Sequence, residues 1–250
     1  MKQWTLLQTV LVVTGWTRIG LATVFFGAIS VTAGWFRPDV SRWCMRTWAG
    51  VLCGIAKLRV RVTGQENLDA APQAVLISNH HTVLDIAVLG TSLHRDYRWL
   101  AKAELFRIPF LGWHLSLMGH VPVYRGGQRF KNADLGERLQ TVFDEGASAL
   151  FFPEGTRNLV LGPFQLGAFQ TAVDCGQPVL PLVLTGTNHS TDVVLEDVRE
   201  CTFEVLPPMT APTEGTPRER AEALRDACHA AMTAALANRA ARQVTEVPQD

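Results

Sequence analysis

Charge is the scarcest ingredient at the start of this chain. Between Gln3 and Phe36 the only charged residue is Arg18, and Ile19 to Phe36 has none. Over all 250 residues the charged fraction is 18%, below the roughly 25% usual in soluble domains. Cysteine is scattered. Cys44, Cys53, Cys175, Cys201 and Cys228 include no C-x-x-C pair, which argues against a disulfide framework or a thiolate zinc site. They read as reduced, mostly buried thiols of a cytosol-facing domain. No clear A-x-A cleavage site follows the long apolar run, although Lys2 and the run itself fit a signal peptide. Internal repeats and low-complexity tracts are absent. A metal site built on His80, His81 and Asp85 would need further ligands that the sequence does not place nearby, so no metal is expected.

What is present at the start suits a membrane. Five of the seven tryptophans (Trp4, Trp16, Trp35, Trp43 and Trp48) lie in the first fifty residues. Tryptophan and arginine favour the membrane–water interface. Ile19 to Phe36 as a helix would be ~27 Å long, slightly short of a ~30 Å bilayer core, and Leu6 to Val13 could extend it. Arg37-Pro38-Asp39 then breaks the helix, and Arg42, Trp43, Arg46, Trp48 and Lys57 decorate a second one. A single span with an interfacial helix and a hairpin dipping into one leaflet both fit. Residues 1–131 carry fifteen Lys/Arg and six Asp/Glu, a net of +9, and the remainder carries eight and seventeen, a net of −9. The basic half would attract anionic headgroups or an anionic substrate, unless it is simply a solvated basic surface. If the segment spans, the basic excess after residue 36 puts the main domain in the cytoplasm, at the inner (cytoplasmic) membrane.

The length allows one large domain or a domain with an appendage. After residue 57 the pattern changes. Leu58–Val62 alternates as a half-buried strand should. Short apolar runs follow at Ala74–Ser78, Tyr97–Ala101, His120–Tyr124, Ala147–Phe152, Val179–Leu184 and Thr202–Leu206. Helical stretches fall between several of them, at Leu84–Leu93, Ala133–Glu145 and Ala168–Cys175. Interleaving of this kind predicts an α/β fold, a mixed sheet of about seven strands flanked by helices. Pro217–Arg242 reads as a closing helix with Leu224, Cys228, Met232 and Leu236 as its packing stripe. The expected organisation is a membrane-associated helical segment over 1–56, a main domain with its C-terminal helix over 57–242 and a disordered tail over 243–250.

Two short blocks carry chemistry. Asn79-His80-His81-Thr82-Val83-Leu84-Asp85 follows a strand. Positions five apart on an ideal helix diverge by ~140°, so His80 and Asp85 meet only if His80 precedes the helix and Asp85 sits in its first turn. Asp85 would then fix the imidazole tautomer and steady the imidazolium. Thr82-x-x-Asp85 also resembles a capping box, a purely local role. On spacing alone His81 is as available as His80. The second block, Phe152-Pro153-Glu154-Gly155-Thr156-Arg157, sets a carboxylate and a guanidinium on a Pro-Gly turn. Glu154 can bond a hydroxyl and Arg157 can grip a phosphate, or both can be solvated on a surface turn. Lys102 and Arg125 end two further strands, where they could be solvated caps. Strand ends in a layered sheet can share one crevice, and three cations there would suit a phosphate dianion.

The order of these blocks, with Gly-x-x-x-Val-x-Arg between them and Val179-Leu180-Pro181-Leu182 after them, resembles the glycerolipid acyltransferases. It is most similar to the bacterial 1-acylglycerol-3-phosphate acyltransferases. Lys102-Ala103-Glu104-Leu105-Phe106-x-Ile108-Pro109-Phe110-x-Gly112-Trp113 and Pro163-Phe164-x-x-Gly167-Ala168-Phe169 add to the likeness, which covers roughly residues 57–190. The resemblance implies His80 as general base and Asp85 as its orienting partner. It implies Lys102, Arg125 and Arg157 on the acceptor phosphate, Glu154 and Gly155 on the glycerol, and Val179–Leu182 shaping the acyl-donor site. It implies a lysophospholipid acceptor and an acyl thioester of coenzyme A or acyl carrier protein as co-substrate. The bilayer is the other expected partner; a bound cofactor and nucleic acid are not expected. Three departures stand out: Thr82 for the usual serine, Tyr124 where an acidic residue often precedes the arginine, and Gln165-Leu166 for a lysine-containing pair. The last two raise another acceptor, such as a lyso-ornithine lipid or glycerol 3-phosphate. A non-catalytic lipid-binding protein is the alternative from a different class.

Overall fold

The structure is a computed structural model and describes residues 5–187 and 198–245. Seven strands among these residues form one sheet: β1 (Leu58–Thr63), β2 (Val75–Ser78), β3 (Tyr97–Lys102), β4 (Val121–Val123), β5 (Ser148–Phe151), β6 (Val179–Thr185) and β7 (Arg199–Val205). Their spatial order is β1-β7-β6-β2-β5-β3-β4, and every pair is parallel except β6 with β7. The mixed α/β sheet expected from the interleaved pattern is the sheet found.

Helices cover both faces, which is why the central strands read as continuous apolar runs. The helices are α1 (Leu6–Gly34), α2 (Pro38–Ile55), α3 (Gln65–Ala70), α4 (Leu84–Ser92), α5 (Leu111–Leu117), α6 (Leu135–Asp144), α7 (Gly167–Asp174) and α8 (Pro217–Thr245). Strand side chains alternate between two cores. Leu76, Leu150, Leu180 and Leu182 face α2 and α4. Val75, Ile77, Ala149 and Val183 face α6, α7 and α8. The stripe on α8 packs as its four-residue period requires: Leu224, Cys228 and Met232 are buried in the second core and Leu236 packs against it. A capping box starts that helix. The Glu219 carboxylate accepts the Thr216 N–H at 2.8 Å, and Thr216 Oγ1 accepts the Glu219 N–H at 3.3 Å. Of the tail expected over 243–250, residues up to Thr245 belong to α8 and the rest lies outside the described residues.

The N-terminal helices form an antiparallel hairpin. α1 is long and apolar enough to cross a membrane, and most of its large side chains, Leu7, Leu21 and Phe25 among them, are exposed. Its threonine hydroxyls turn back onto their own helix: Thr17 donates to Val13 O and Thr23 to Ile19 O, each at 2.8 Å. A hydroxyl partnered in this way needs no water. α2 starts with Pro38 in its first turn, where a missing N–H costs nothing. It buries Cys44, Ala49, Leu52 and Cys53. Leu52, Cys53 and Ala56 belong to the first core, together with residues of α4 and β1. The division expected at residue 56 therefore does not separate packing units. The hairpin closes at one close approach: a Cβ on Gly34 would lie 1.8 Å from Ser41 Oγ.

Candidate active site

Strands β2, β3, β4 and β5 are mutually parallel, so their carboxyl ends share one edge. His80 follows β2, Lys102 ends β3, Arg125 follows β4, and Phe152–Arg157 follow β5. All four cationic or basic side chains, His80, Lys102, Arg125 and Arg157, line one cavity of about 950 Å³. It runs from this edge to the α1–α2 hairpin, where Trp16, Ile19, Phe26 and Trp48 complete an apolar wall.

The imidazole is held from three sides. His80 Nδ1 lies 2.7 Å from Asp85 Oδ2, and Asp85 is fully buried in the first turn of α4. A nitrogen that close to a carboxylate carries the proton, which leaves Nε2 as the acceptor. Nε2 lies 3.3 Å from Arg157 Nε–H on the cavity side. The ring stacks on Phe152 with centroids 4.0 Å apart and an interplanar angle of 18°. The same Asp85 oxygen accepts the His81 N–H at 2.6 Å and the Thr82 N–H at 2.8 Å. Asp85 thus holds both the imidazole and the loop backbone before α4, but the expected Thr82 capping box does not close: Thr82 Oγ1 accepts from Leu84 N, and the cap position is Val83, which makes no side-chain bond. Asn79 anchors the loop to the sheet through two bonds to Leu184: its Nδ2 donates to the carbonyl at 2.9 Å and its Oδ1 accepts the N–H at 2.8 Å.

His81 and His80, equal on spacing, are separated by the fold. His81 does not line the cavity; its ring lies between Thr187 Oγ1 and Asn79 Nδ2, each at 3.3 Å.

Glu154 differs from its expected place on the substrate. It is buried, does not line the cavity, and has both oxygens engaged. Oε1 accepts the His80 N–H at 3.0 Å, and Oε2 accepts Asn158 Nδ2 and Gly162 N, each at 2.8 Å. Asn158 N donates to the His80 carbonyl at 2.9 Å. The second motif thus clamps the backbone of the first. Gly155 lines the cavity and adopts φ +72°, a left-handed turn that glycine takes without strain. Its carbonyl accepts from Arg125 Nη1. Lys102, half-exposed, lies 3.8 Å from Glu104, too exposed a pair to hold it firmly.

The expectation for Val179–Leu182 also changes. β6 is fully buried between β2 and β7 and does not border the cavity. It supports the site from behind, by pairing with β2 as far as Ser78 and through the Asn79–Leu184 bonds. Conversely, sequence reading left out Trp99, His114 and His120 and did not connect the hairpin to the site, yet all of these line the cavity. Of the three departures, Gln165 lines the cavity, whereas Thr82 and Tyr124 do not.

Fold and site together define an α/β protein with a carboxylate-oriented imidazole in the wall of a largely apolar cavity. The family model for acyltransferases matches residues 59–185, and the chain belongs to the acyltransferase family. It is 43% identical over 155 residues to the chloroplastic 1-acyl-sn-glycerol-3-phosphate acyltransferase BAT2 of Brassica napus, covering 61% of this chain and 44% of that one. It is 30% identical to the 1-acyl-sn-glycerol-3-phosphate acyltransferase of Pseudomonas aeruginosa over 166 residues, 65% of this chain and 63% of that one. The chain thus spans less than half the length of the Brassica relative. Among solved structures, it resembles the 1-acyl-sn-glycerophosphate acyltransferase PlsC of Thermotoga maritima. The TM-score is 0.66 with 19% identity over 88% of this chain and 94% of that one, which is a likeness of fold.

Proposed function

We propose that this protein transfers an acyl chain from an acyl thioester to the sn-2 hydroxyl of 1-acylglycerol 3-phosphate, giving phosphatidic acid. The observation that carries the reading is the His80–Asp85 pair at 2.7 Å with its Nε2 turned to a cavity that also holds Lys102, Arg125 and Arg157. The names of the curated relatives support the choice of acceptor.

His80 Nε2 takes the proton of the acceptor hydroxyl as that oxygen bonds to the thioester carbonyl carbon. The imidazolium is stabilised by Asp85. The tetrahedral oxyanion collapses, the carbon–sulfur bond breaks, and the thiolate recovers the proton from His80. Proton transfer of this kind contributes roughly 10²–10⁴-fold, and positioning both substrates supplies much of the rest. Lys102, Arg125 and Arg157 hold the acceptor phosphate, Arg157 leaving His80 as it does so. Gly155 faces the glycerol. Glu154 acts by positioning His80. The donor is a thioester of coenzyme A or acyl carrier protein. The hairpin sits in the inner membrane with the catalytic domain on the cytoplasmic side, in keeping with the basic excess after residue 36.

The test is thiol release from acyl-CoA by the purified protein in lipid micelles, across a panel of acceptors, with His80→Ala as control. Release driven by 1-acylglycerol 3-phosphate and lost in the variant is expected. Release driven only by another lyso-lipid would keep the mechanism and replace the acceptor, as the neutral Gln165 in the cavity wall would then explain. Silence with every acceptor, on both donor carriers, would leave a lipid-binding protein.

A further inference from the structure

Two imidazoles, His114 and His120, stand in the apolar wall of the cavity. His120 immediately precedes β4, and the pairing of Leu100 with Val121 sets it level with Trp99. Trp99 is three residues before Lys102, so His120 lies ~10 Å below the strand ends at ~3.3 Å per residue. Its Nδ1 accepts the Trp99 N–H at 2.9 Å. In the neutral ring the proton is then on Nε2, a donor. His120 is only 7% exposed and lines the cavity. His114, on α5, is its neighbour, with ring centroids 6.1 Å apart. The Nδ1 of His114 lies 2.6 Å from Ser30 Oγ, which is 3.0 Å from Ser41 Oγ. This chain of polar groups runs from α2 through α1 to α5 and orients the second ring. Neither Nε2 has a hydrogen-bond partner among the described residues.

A packed apolar tunnel has no need of such groups. Both Nε2 atoms open onto the cavity rather than being sealed in the core, so each can meet a polar group of whatever fills that space. Burial also keeps both rings uncharged near neutral pH, with pKa values pushed down to about 4 for His114 and about 3 for His120. Neutral imidazoles suit an uncharged ligand group rather than a second phosphate.

We propose that His114 and His120 form a polar subsite inside the cavity that hydrogen-bonds an oxygen substituent carried on the lipid hydrocarbon chain. A hydroxyl is the matching group, because it can accept from His120 Nε2–H and either accept from or donate to His114. The chain can belong to the acyl donor or to the acceptor's own acyl group. Only this choice of source rests on the acyltransferase reading.

The first readout is binding, which needs no turnover. The full chain in micelles is titrated with saturated fatty acids of equal length that are plain or carry one hydroxyl, moved stepwise along the chain. One hydroxyl position, or two adjacent ones, is expected to tighten binding roughly threefold to tenfold, as one or two net hydrogen bonds allow. His120→Leu should remove that gain and leave plain-chain binding intact. His120→Asn, which keeps a donor, should retain part of it and also serves if the leucine variant folds poorly. Turnover with a hydroxylated donor and plain acceptor, then with the reverse pairing, identifies the source by which kcat/KM rises. Equal binding at every hydroxyl position, or a gain that survives in folded His120→Leu, overturns the subsite. A hydroxyl preference without any thioester turnover would sink the acyltransferase reading and leave the subsite standing.

Discussion

Glu154 holds the backbone N–H of His80 at 3.0 Å, across 74 residues of sequence, and so makes the second motif part of the first. Glu154→Gln should test that clamp. Its amide nitrogen would oppose at least one of the three donors that the carboxylate now satisfies. Each hydrogen bond to a charged group is worth about 1.5–3 kcal/mol. The expected outcome is a clear drop in Tm and a fall in kcat of tenfold or more, with acceptor KM little changed. A raised KM at unchanged Tm would instead mean that Glu154 touches the acceptor.

Asp85→Ala should cost turnover almost as heavily as His80→Ala, in the range of about 10²–10⁴-fold. It releases Nδ1 of His80 and also the backbone N–H groups of His81 and Thr82 in the loop before α4. Thiol release measured beside circular dichroism separates the two effects. Near-native kcat in a folded Asp85→Ala would remove the orienting role.

Arg157 is expected to act on binding. Arg157→Ala should raise the acceptor KM, and Arg157→Lys should recover only part of it, because a lysine loses the planar fork. Because Arg157, now 3.3 Å from His80 Nε2, leaves that nitrogen when it takes the phosphate, kcat at saturating acceptor should change far less than KM. An unchanged KM would take Arg157 out of the phosphate site.

The buried imidazoles carry a pH signature. Desolvation lowers His114 to about 4, and desolvation, reinforced by His114 and Arg98, lowers His120 to about 3, from an ordinary value of 6.5. Between those values the unfolded chain binds more protons than the folded one, so stability rises with pH. It is complete above about pH 7 and is lost as pH falls from about 6.5 toward 4. Thermal unfolding between pH 7 and pH 5 should show a falling Tm, with a shallower slope in His120→Leu. Identical slopes would place the proton uptake elsewhere.

Gly34→Ala should loosen the hairpin. Its Cβ would sit 1.8 Å from the oxygen of Ser41, which is fully buried, and 3.1 Å from Leu117. Overpacking of this kind costs about 1–3 kcal/mol. Thermal unfolding in micelles is the measurement, and an unchanged Tm would show that the two helices move apart freely.

The seven strands were each legible from alternation or from short apolar runs, and α8 from its four-residue stripe. Their order was not. β6 inserts between β2 and β7, and nothing in Val179–Thr185 specifies those neighbours, because sheet pairing is a contact between residues far apart in the chain. α5 was missed because Leu111–Leu117 is short and sits among family-like residues with little helical period of its own. The His80–Asp85 pairing was legible because a loop–helix junction brings positions five apart together locally.

Local physics written into the sequence determined which segments form strands and helices, where the apolar hairpin lies, and which residues stand at strand ends. Spacing left His80 and His81 equal and only the family resemblance favoured His80; tertiary structure sets His80 on the cavity, spends Glu154 on the backbone, and brings α1, α2, His114 and His120 to the same space as the His–Asp pair. The physical reason is range. Periodicity and turn chemistry act over a few residues, whereas burial, hydrogen-bond partnership and cavity walls are set by packing between segments that the sequence keeps tens of residues apart.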